Sequence, residues 1–525
     1  MLTQIHDIIF ANHEPSKTAI THGKHSLSYR QLQQQTEHIA SSLVAFGVEH
    51  FDRVGIYLPK TFEFVLTTFA TSKAGGVFVP INPILKAPQV EYIINDCDIK
   101  VLVTSWARFV QIQANLDSLA SLQTVIITDD IKAPTEQFNQ LAIISWHAIS
   151  QQGDLPDATC PNTSDDMAAI FYTSGSTGKP KGVVLSHANI IIGAQSVAKY
   201  LNNSQADKIL AVLPFSFDYG FSQLTTGLLV GGEVIMLDYL LANDVLNAIE
   251  KHQITGLAAV PPLWTQLCKL DWQNKARSLR YITNSGGAMS PSLLEQIIAK
   301  VPQVTPYLMY GLTEAFRSTY LAPEKVKQKP NSIGQAIPNA EIKVLRADGS
   351  ECDIDEPGEL VHLGPLVSLG YWNNPDKTSA RFKYAPQKPN GIINKKMAVY
   401  SGDIVSKDAD GDLYFVSRND EMIKSSGYRI SPTEVEECLM QSQLVDDCVV
   451  LGCKHQELGQ AILAIVSLRQ KDLANPQLLL NKYCQQNLPN FMVPADITVL
   501  DELPKNDNGK LDRASLAKRY QQHFE

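Results

Sequence analysis

Two periods of hydrophobicity alternate along this chain. Leu32, Ile39, Leu43 and Phe46 recur near helical spacing and predict a helix over residues 29–46. Residues 52–58 then read as a strand, 62–74 as a helix and 75–80 as the next strand. Short buried strands follow at 101–104 and 124–128. Residues 129–165 are polar and proline-containing, and read as a connection. Apolar runs at 167–172 and 183–185 flank a polar loop. A helix to about residue 201 follows, with Ser186 as its candidate N-cap. Strands at 209–213, 233–237, 256–260, 281–288 and 305–314 alternate with helices ending near 230 and spanning 244–252 and 262–269. This order predicts an α/β fold with mainly parallel sheets, whose ligands sit beyond the carboxyl ends of the strands.

From about residue 340 the strands shorten and turns multiply, as in Ala347-Asp-Gly, Glu356-Pro-Gly and Asp410-Gly-Asp. Residues 340–419 thus read as a β-rich subdomain of a large N-terminal domain, 1–419. Strands at 447–452 and 461–468 and a helix near 476–486 predict a small α+β domain over 420–525. The boundary falls at Arg418-Asn-Asp420.

With 525 residues the chain has room for two to four domains. Hydrophobic content of 44% and charged content of 19% are those of a globular protein. A net charge of -9 argues against a general nucleic-acid binder, though not against a local basic groove. The eight cysteines form no C-x-x-C pair, which suits a reducing compartment rather than a disulfide frame or zinc site. No signal-peptide pattern opens the chain, and no apolar run approaches the roughly 20 residues of a membrane helix. The expectation is a cytoplasmic protein without membrane insertion, as a monomer or homodimer.

The polar loop is the densest chemical signal: Thr173-Ser-Gly-Ser-Thr-Gly-Lys-Pro-Lys-Gly182. Gly175, Gly178 and Gly182 let the backbone approach a ligand. Hydroxyls of Thr173, Ser174, Ser176 and Thr177, the ammoniums of Lys179 and Lys181, and backbone N–H groups can converge on phosphate oxygens. It is not a Walker A loop, which needs four residues between its first Gly and Gly-Lys-Ser/Thr. Here two residues separate Gly175 from Gly178, and Pro180 follows Lys179. That spacing excludes a P-loop ATPase.

This stretch resembles the phosphate loop of the adenylate-forming superfamily, which holds acyl-CoA synthetases, peptide-synthetase adenylation domains and luciferases. Further segments resemble that superfamily in the same order along the chain, and the resemblance covers nearly its whole length. It implies an adenine site at Ser285-Gly286-Gly287-Ala288, with Tyr310 stacking on the base and Gly311 beside it. In Tyr310-Gly-Leu-Thr-Glu314, Thr313 would touch the α-phosphate and Glu314 would bind Mg²⁺. Asp403 would accept hydrogen bonds from the ribose hydroxyls, and Arg418 would bind the same region. Ser417–Arg429 resembles the hinge motif, with Asp420 at the hinge and Lys424 and Gly427 in the segment lining the thiol tunnel after rotation. Lys510, in Leu503-Pro-Lys-Asn-Asp-Asn-Gly-Lys510, resembles the catalytic lysine that closes on the substrate carboxylate and the α-phosphate.

The implied reaction uses ATP and Mg²⁺ to adenylate a small carboxylic acid, with an amino acid such as proline among the candidates. The acyl group then passes to a thiol, either CoA or the phosphopantetheine of a carrier protein, after the small domain rotates. Pro214-Phe-Ser-Phe-Asp-Tyr-Gly220 departs from the Pro-Leu-Phe-His of many acyl-CoA ligases: Phe217 replaces the histidine and Asp218 follows. Phe-Asp resembles amino-acid adenylation domains, where the aspartate holds the α-ammonium. Phe217, Asp218, Tyr219 and Arg317 are therefore the candidate acyl-site residues. Arg317 could take a second substrate carboxylate, or Asp218 and Arg317 could simply pair. Strings such as Met309-Tyr-Gly-Leu-Thr-Glu-Ala-Phe-Arg317 are most similar to exosortase-associated AMP-forming ligases, with stand-alone prolyl-carrier-protein ligases next in likeness. A nucleotide-binding scaffold without catalysis is the rival of another class; Lys510, Glu314 and Asp403 argue against it.

Overall fold

The structure, a computed structural model, describes residues 2–11, 13–129, 141–151, 157–158, 162–173, 179–272, 275–385, 396–418, 422–504 and 511–524. The first sheet has eight strands, in the order Gly370–Tyr371, Lys181–Ser186, Met167–Thr173, Val77–Pro80, Arg53–Tyr57, Ile99–Thr104, Thr124–Ile127 and Ala142–Ser145. The six from Met167–Thr173 onward are mutually parallel; Lys181–Ser186 runs antiparallel to them, and Gly370–Tyr371 pairs antiparallel with Lys181–Ser186. Val54, Ile56 and Phe78 bury into one apolar core, while Val77, Val79, Leu102 and Val125 bury into a second. Strands covered on both faces read as continuous apolar runs, which is why they were legible without alternation.

The second sheet contains a parallel run in the order Thr305–Tyr310, Tyr281–Asn284, Gly256–Ala259, Lys208–Ala211, Glu233–Met236 and Thr18–His22. Its carboxyl ends carry the Asn284-Ser-Gly-Gly287 and Tyr310-Gly-Leu-Thr-Glu314 segments. Beyond Thr305–Tyr310 the strands turn antiparallel, through Thr319–Leu321, Ser332–Ala336, Leu413–Arg418, Met397–Lys407, Gly358–Leu363 and Glu341–Leu345. The β-rich stretch thus continues the ladder of the large sheet.

A third sheet carries residues 423–499. Its long antiparallel strands, Val445–His455 and Gly459–Leu468, are buried on both faces. Val450, Ile462, Ala464 and Val466 join Val435 and Leu439 of the helix Pro432–Gln441. Val449, Leu451, Leu463 and Ile465 join Leu503 and Leu516 on the other side. Alternation with period two builds two small cores from one pair of strands.

Some expectations need correction. The polar stretch 129–165 contains an edge strand, Ala142–Ser145, and a helix, Trp146–Gln151. The apolar run at 141–144 is only four residues long, too short for periodicity to register. The helix Ala87–Asp96 was missed between two strands that were identified. The strand expected over 281–288 stops at Asn284, because Gly286 takes φ +78° and breaks extended pairing. Ser186 does cap the helix His187–Tyr200, in a capping box with Asn189.

Two buried histidines tie residues 5 and 6 to two helices, His187–Tyr200 and Phe62–Lys73. His187 Nδ1 accepts the Ile5 backbone N–H at 3.2 Å, and His6 Nδ1 lies 3.0 Å from Ser72 Oγ. Burial lowers both pKa values from 6.5 to about 4, in His6 against the raising effect of Asp7. A base depressed in this way stabilises the fold fully above its unfolded pKa, and loses that contribution as pH falls toward its folded pKa. The melting temperature should therefore drop between pH 6.5 and pH 4, with roughly 3 kcal/mol at stake per histidine. His187→Gln should flatten that dependence; an unchanged slope would contradict the assignment.

Candidate active site

The strands Met167–Thr173 and Lys181–Ser186 pair antiparallel, with Thr173 opposite Lys181 at the mouth of the loop. Ser174, Gly175, Ser176, Thr177 and Gly178 lie outside the described residues, as do Asp420 and Lys510. Lys179 is exposed, its Nζ 5.7 Å from the Tyr92 ring centroid. Gly182 is confined: an added Cβ would lie 2.6 Å from Ile170 Cγ2.

Lys181 turns inward and defines the centre of the site. Its Nζ donates to Glu314 Oε1 and to the Tyr371 hydroxyl, each at 2.8 Å, and Tyr371 donates to the same Glu314 oxygen at 2.7 Å. Burial alone would raise the Glu314 carboxyl; the charges of Lys181 and Arg429 and two hydrogen bonds outweigh it and hold the pKa well below the ordinary range. Burial lowers Lys181, against the pull of Glu314. A small cavity here is also lined by Arg381, Tyr400 and Ser401. Lys181, Arg381 and Arg429 thus line one cavity with Glu314, a basic lining suited to a phosphoryl group.

Beside this cluster the Tyr310 hydroxyl donates to Asp403 Oδ2, joining the expected base-stacking and ribose-binding residues. Asp403 is the cross-strand partner of Arg418. Asn284 donates from Nδ2 to the Gly287 carbonyl at 2.9 Å and closes the Ser285-Gly286 turn; Ala288 is exposed beyond it. Gly311 lies beside the returning chain: an added Cβ would meet Arg317 Cα at 3.4 Å, an ordinary contact. Four polar atoms of these motifs or their neighbours are buried with no partner among the described residues: Thr173 Oγ1, Ser216 Oγ, Asn284 Oδ1 and Ser368 Oγ. Each such group costs about 1–3 kcal/mol unless a ligand or water meets it. A nucleotide, with its ribose hydroxyls, exocyclic base amino group and phosphate oxygens, fits that need.

Thr313 and Glu314 stand in a short 3₁₀ turn, Thr313–Ala315. Phe316 follows with φ 55° and ψ −47°, and the Arg317 N–H reaches the Ala315 carbonyl at 2.5 Å. This is the rare γ-turn. It seats the Phe316 ring over Gly193, where a Cβ would lie 2.3 Å from Phe316 Cδ1. The turn also aims Arg317 inward. Arg317 Nη1 lies 3.4 Å from Asp218 Oδ2 and donates to the Phe316 carbonyl at 2.6 Å, while Nη2 donates to the Asp218 carbonyl at 3.2 Å. The guanidinium also packs 5.0 Å from the Tyr219 ring. Of the alternatives open from the sequence, the structure shows the internal Asp218–Arg317 pair. Burial raises the Asp218 pKa, and Arg317 opposes that shift. Phe217 lies between the two halves of the site, its Cζ 3.8 Å from the position of a Cβ at Gly286.

The hairpin Ile423–Ser425/Tyr428–Ile430 closes the site from the third sheet. Ser426 and Gly427 take φ 52° and 83°, both left-handed, as a two-residue hairpin turn of this hand requires. The tip is docked rather than solvated: a Cβ at Gly427 would lie 3.0 Å from Val260 Cγ1. Lys424 Nζ lies 5.3 Å from the Phe415 ring centroid.

Tyr371, Arg381 and Asn284 went unnoticed in the sequence. Tyr371 stands in Gly-Tyr-Trp, which carries no charge or spacing signal, and its partners are 57 and 190 residues away.

A buried phosphate-suited cluster at the carboxyl ends of parallel strands, capped by a hairpin from a smaller domain, defines a nucleotide-handling α/β enzyme of two lobes. Comparison with known proteins makes this specific. The family model described as AMP-binding enzyme matches residues 9–372, and the AMP-binding enzyme C-terminal domain matches residues 434–510. The chain belongs to the AMP-binding enzyme family, within the adenylate-forming superfamily. It is 30% identical over 505 residues to indoleacetate–CoA ligase of Aromatoleum aromaticum, covering 95% of this chain and 94% of that one. It is 32% identical over 512 residues to malpibaldin synthetase of Mortierella alpina, covering 96% of this chain and 9% of that one. The chain spans only about a tenth of the length of several such synthetase relatives. Among solved structures, o-succinylbenzoate CoA synthetase from Bacillus subtilis superposes with a TM-score of 0.81 at 25% identity, covering 98% of each chain. The amide bond synthetase of Marinactinospora thermotolerans gives a TM-score of 0.84 at 20% identity, over 98% of this chain and 99% of that one, and supports the fold.

Proposed function

We propose that the protein is an AMP-forming ligase that activates a small carboxylic acid with ATP and transfers the acyl group to a thiol. The observation that carries this reading is the Lys181–Glu314–Tyr371 ring beside the Tyr310–Asp403 pair, within a chain of the AMP-binding enzyme family. The first step needs a carboxylate oxygen to attack the α-phosphorus while the bond to pyrophosphate breaks. Negative charge then crowds one site, and catalysis is positioning plus electrostatics. Lys181, Thr173 and the loop backbone hold the phosphates; Tyr310 and Gly286–Ala288 hold the adenine; Asp403 and Arg418 hold the ribose. Lys510 supplies the cation at the transferring group. Glu314, buried and kept ionised, is a fitting oxygen ligand for Mg²⁺, which when bound would neutralise polyphosphate charge.

In the second step a thiol sulfur attacks the acyl carbon, the bond to AMP breaks, and the thiol proton leaves to solvent. The proposed division is a body of residues 1–419 and a swinging domain of 420–525 about Asp420. The docked Gly427 hairpin supports reading this arrangement as the thiol-transfer state. The acid contacts Phe217, Asp218, Tyr219 and Arg317. The guanidinium on Asp218 means that a substrate ammonium would have to compete for that carboxylate, which favours acids without one. The acceptor is CoA, as the names of relatives such as indoleacetate–CoA ligase support, or carrier-protein phosphopantetheine, as relatives such as bacitracin synthase of Bacillus licheniformis suggest. We place the enzyme in the cytoplasm as a monomer or homodimer.

Incubation with ATP, Mg²⁺, a panel of carboxylic and amino acids, and either CoA or a phosphopantetheinylated carrier protein should yield AMP and one acyl thioester, read by mass. ATP binding without AMP release across the panel would instead favour a non-catalytic scaffold.

A further inference from the structure

We infer that Tyr371 is a positioning residue for the first half-reaction, locking Lys181 and Glu314 into one geometry; this rests on the reading above. The backbone explains its placement. Gly370–Tyr371 pairs antiparallel with Lys181–Ser186, with Tyr371 opposite Val183. Residues two apart share a face of a strand, so Tyr371 stands diagonally beside Lys181, within reach for a long side chain. The ring is fixed from three sides. Its backbone N–H donates to Thr378 Oγ1 at 3.0 Å, its edge meets Phe382 at 5.4 Å and 81°, and the Lys181 ammonium lies 4.2 Å from its centroid. Gly370, at φ 119°, delivers the strand here; an added Cβ would lie 2.7 Å from Thr378 Cγ2.

The hydroxyl accepts from the ammonium and donates to the carboxylate, and those two groups also bond directly. The three groups therefore form a closed ring, in which no member moves without breaking two bonds. A buried ion pair alone fixes a distance. The third vertex fixes direction as well, so that Glu314 keeps one carboxylate oxygen, Oε1, committed to the ring. The cation–π contact and the hydroxyl bonds are separable functions of one side chain: Phe keeps the first and Leu removes both.

The experiment compares wild type, Tyr371→Phe and Tyr371→Leu by pyrophosphate exchange, by transfer from presynthesised acyl-adenylate to the thiol, and by calorimetric binding of a non-cleavable ATP analogue with and without Mg²⁺. Tyr371→Phe should lower exchange about 10- to 100-fold, as losing a buried hydrogen bond to a charged group implies. It should weaken analogue binding only when Mg²⁺ is present, and leave thiol transfer within about threefold, because that step no longer needs the metal-binding geometry. Tyr371→Leu should lose more of the same two quantities. Wild-type exchange and analogue binding in Tyr371→Phe would overturn the inference. So would equal loss of both half-reactions with a lowered melting temperature, the mark of a merely structural residue. Absence of exchange in the wild type would refute the reading of function, and the binding comparison would still decide the role of Tyr371.

Discussion

Gly427→Leu is expected to slow thioester formation while leaving pyrophosphate exchange within about twofold. One cost acts on the hairpin turn itself, and a second acts only when the hairpin is docked as seen here. The backbone at Gly427 has φ 83°, a conformation that costs an L-residue about 1–2 kcal/mol. The first carbon of any side chain would already sit 3.0 Å from Val260 Cγ1, and overpacking of this kind costs roughly 1–3 kcal/mol. The second cost alone corresponds to about a 5- to 160-fold loss of the docked state or of thiol passage through it. Adenylation, proposed to occur with the small domain rotated away, escapes the clash. Transfer from presynthesised acyl-adenylate, measured beside exchange, separates the two steps. Parallel loss of both would mean that the hairpin serves the fold rather than the second step.

Lys510→Ala should do the reverse. The first step places a carboxylate against an anionic phosphate, and removing one preorganised charge-stabilising donor typically costs 100- to 1,000-fold. Pyrophosphate exchange should fall by about that factor, while thiol transfer from presynthesised acyl-adenylate proceeds at close to the wild-type rate. The two variants thus form opposed halves of one argument. If Lys510→Ala adenylates normally, the assignment of that lysine fails, and with it the need for two lobe positions.

The large-scale architecture was legible because parallel strands buried on both faces leave apolar runs that are hard to mistake, as at Val101–Thr104 and Thr124–Ile127. The third sheet was legible for the same reason, through the unbroken apolar run within Gly459–Leu468, whose strand is buried on both faces. Local chemistry was legible where residues cluster in sequence: Thr173 and Lys181 bracket their loop, and Thr313 and Glu314 share one turn. Pairings made by folding were not. Lys181 meets Tyr371 across 190 residues, and Asp218 meets Arg317 across 99, through a γ-turn at Phe316 that no residue type announces. The short edge strand Ala142–Ser145 was hidden because its apolar core is one turn of chain inside a polar stretch. His6 and His187 reveal their coupling only when the first residues pack under the helix after the phosphate loop.

The central claim is that a carboxylate oxygen attacks the α-phosphorus of ATP in this site. An active acid labelled with ¹⁸O in both carboxyl oxygens, incubated with enzyme, ATP, Mg²⁺ and the thiol acceptor, should yield AMP carrying a single ¹⁸O in its phosphate and unlabelled pyrophosphate. Unlabelled AMP, or ADP with label in inorganic phosphate, would contradict the account.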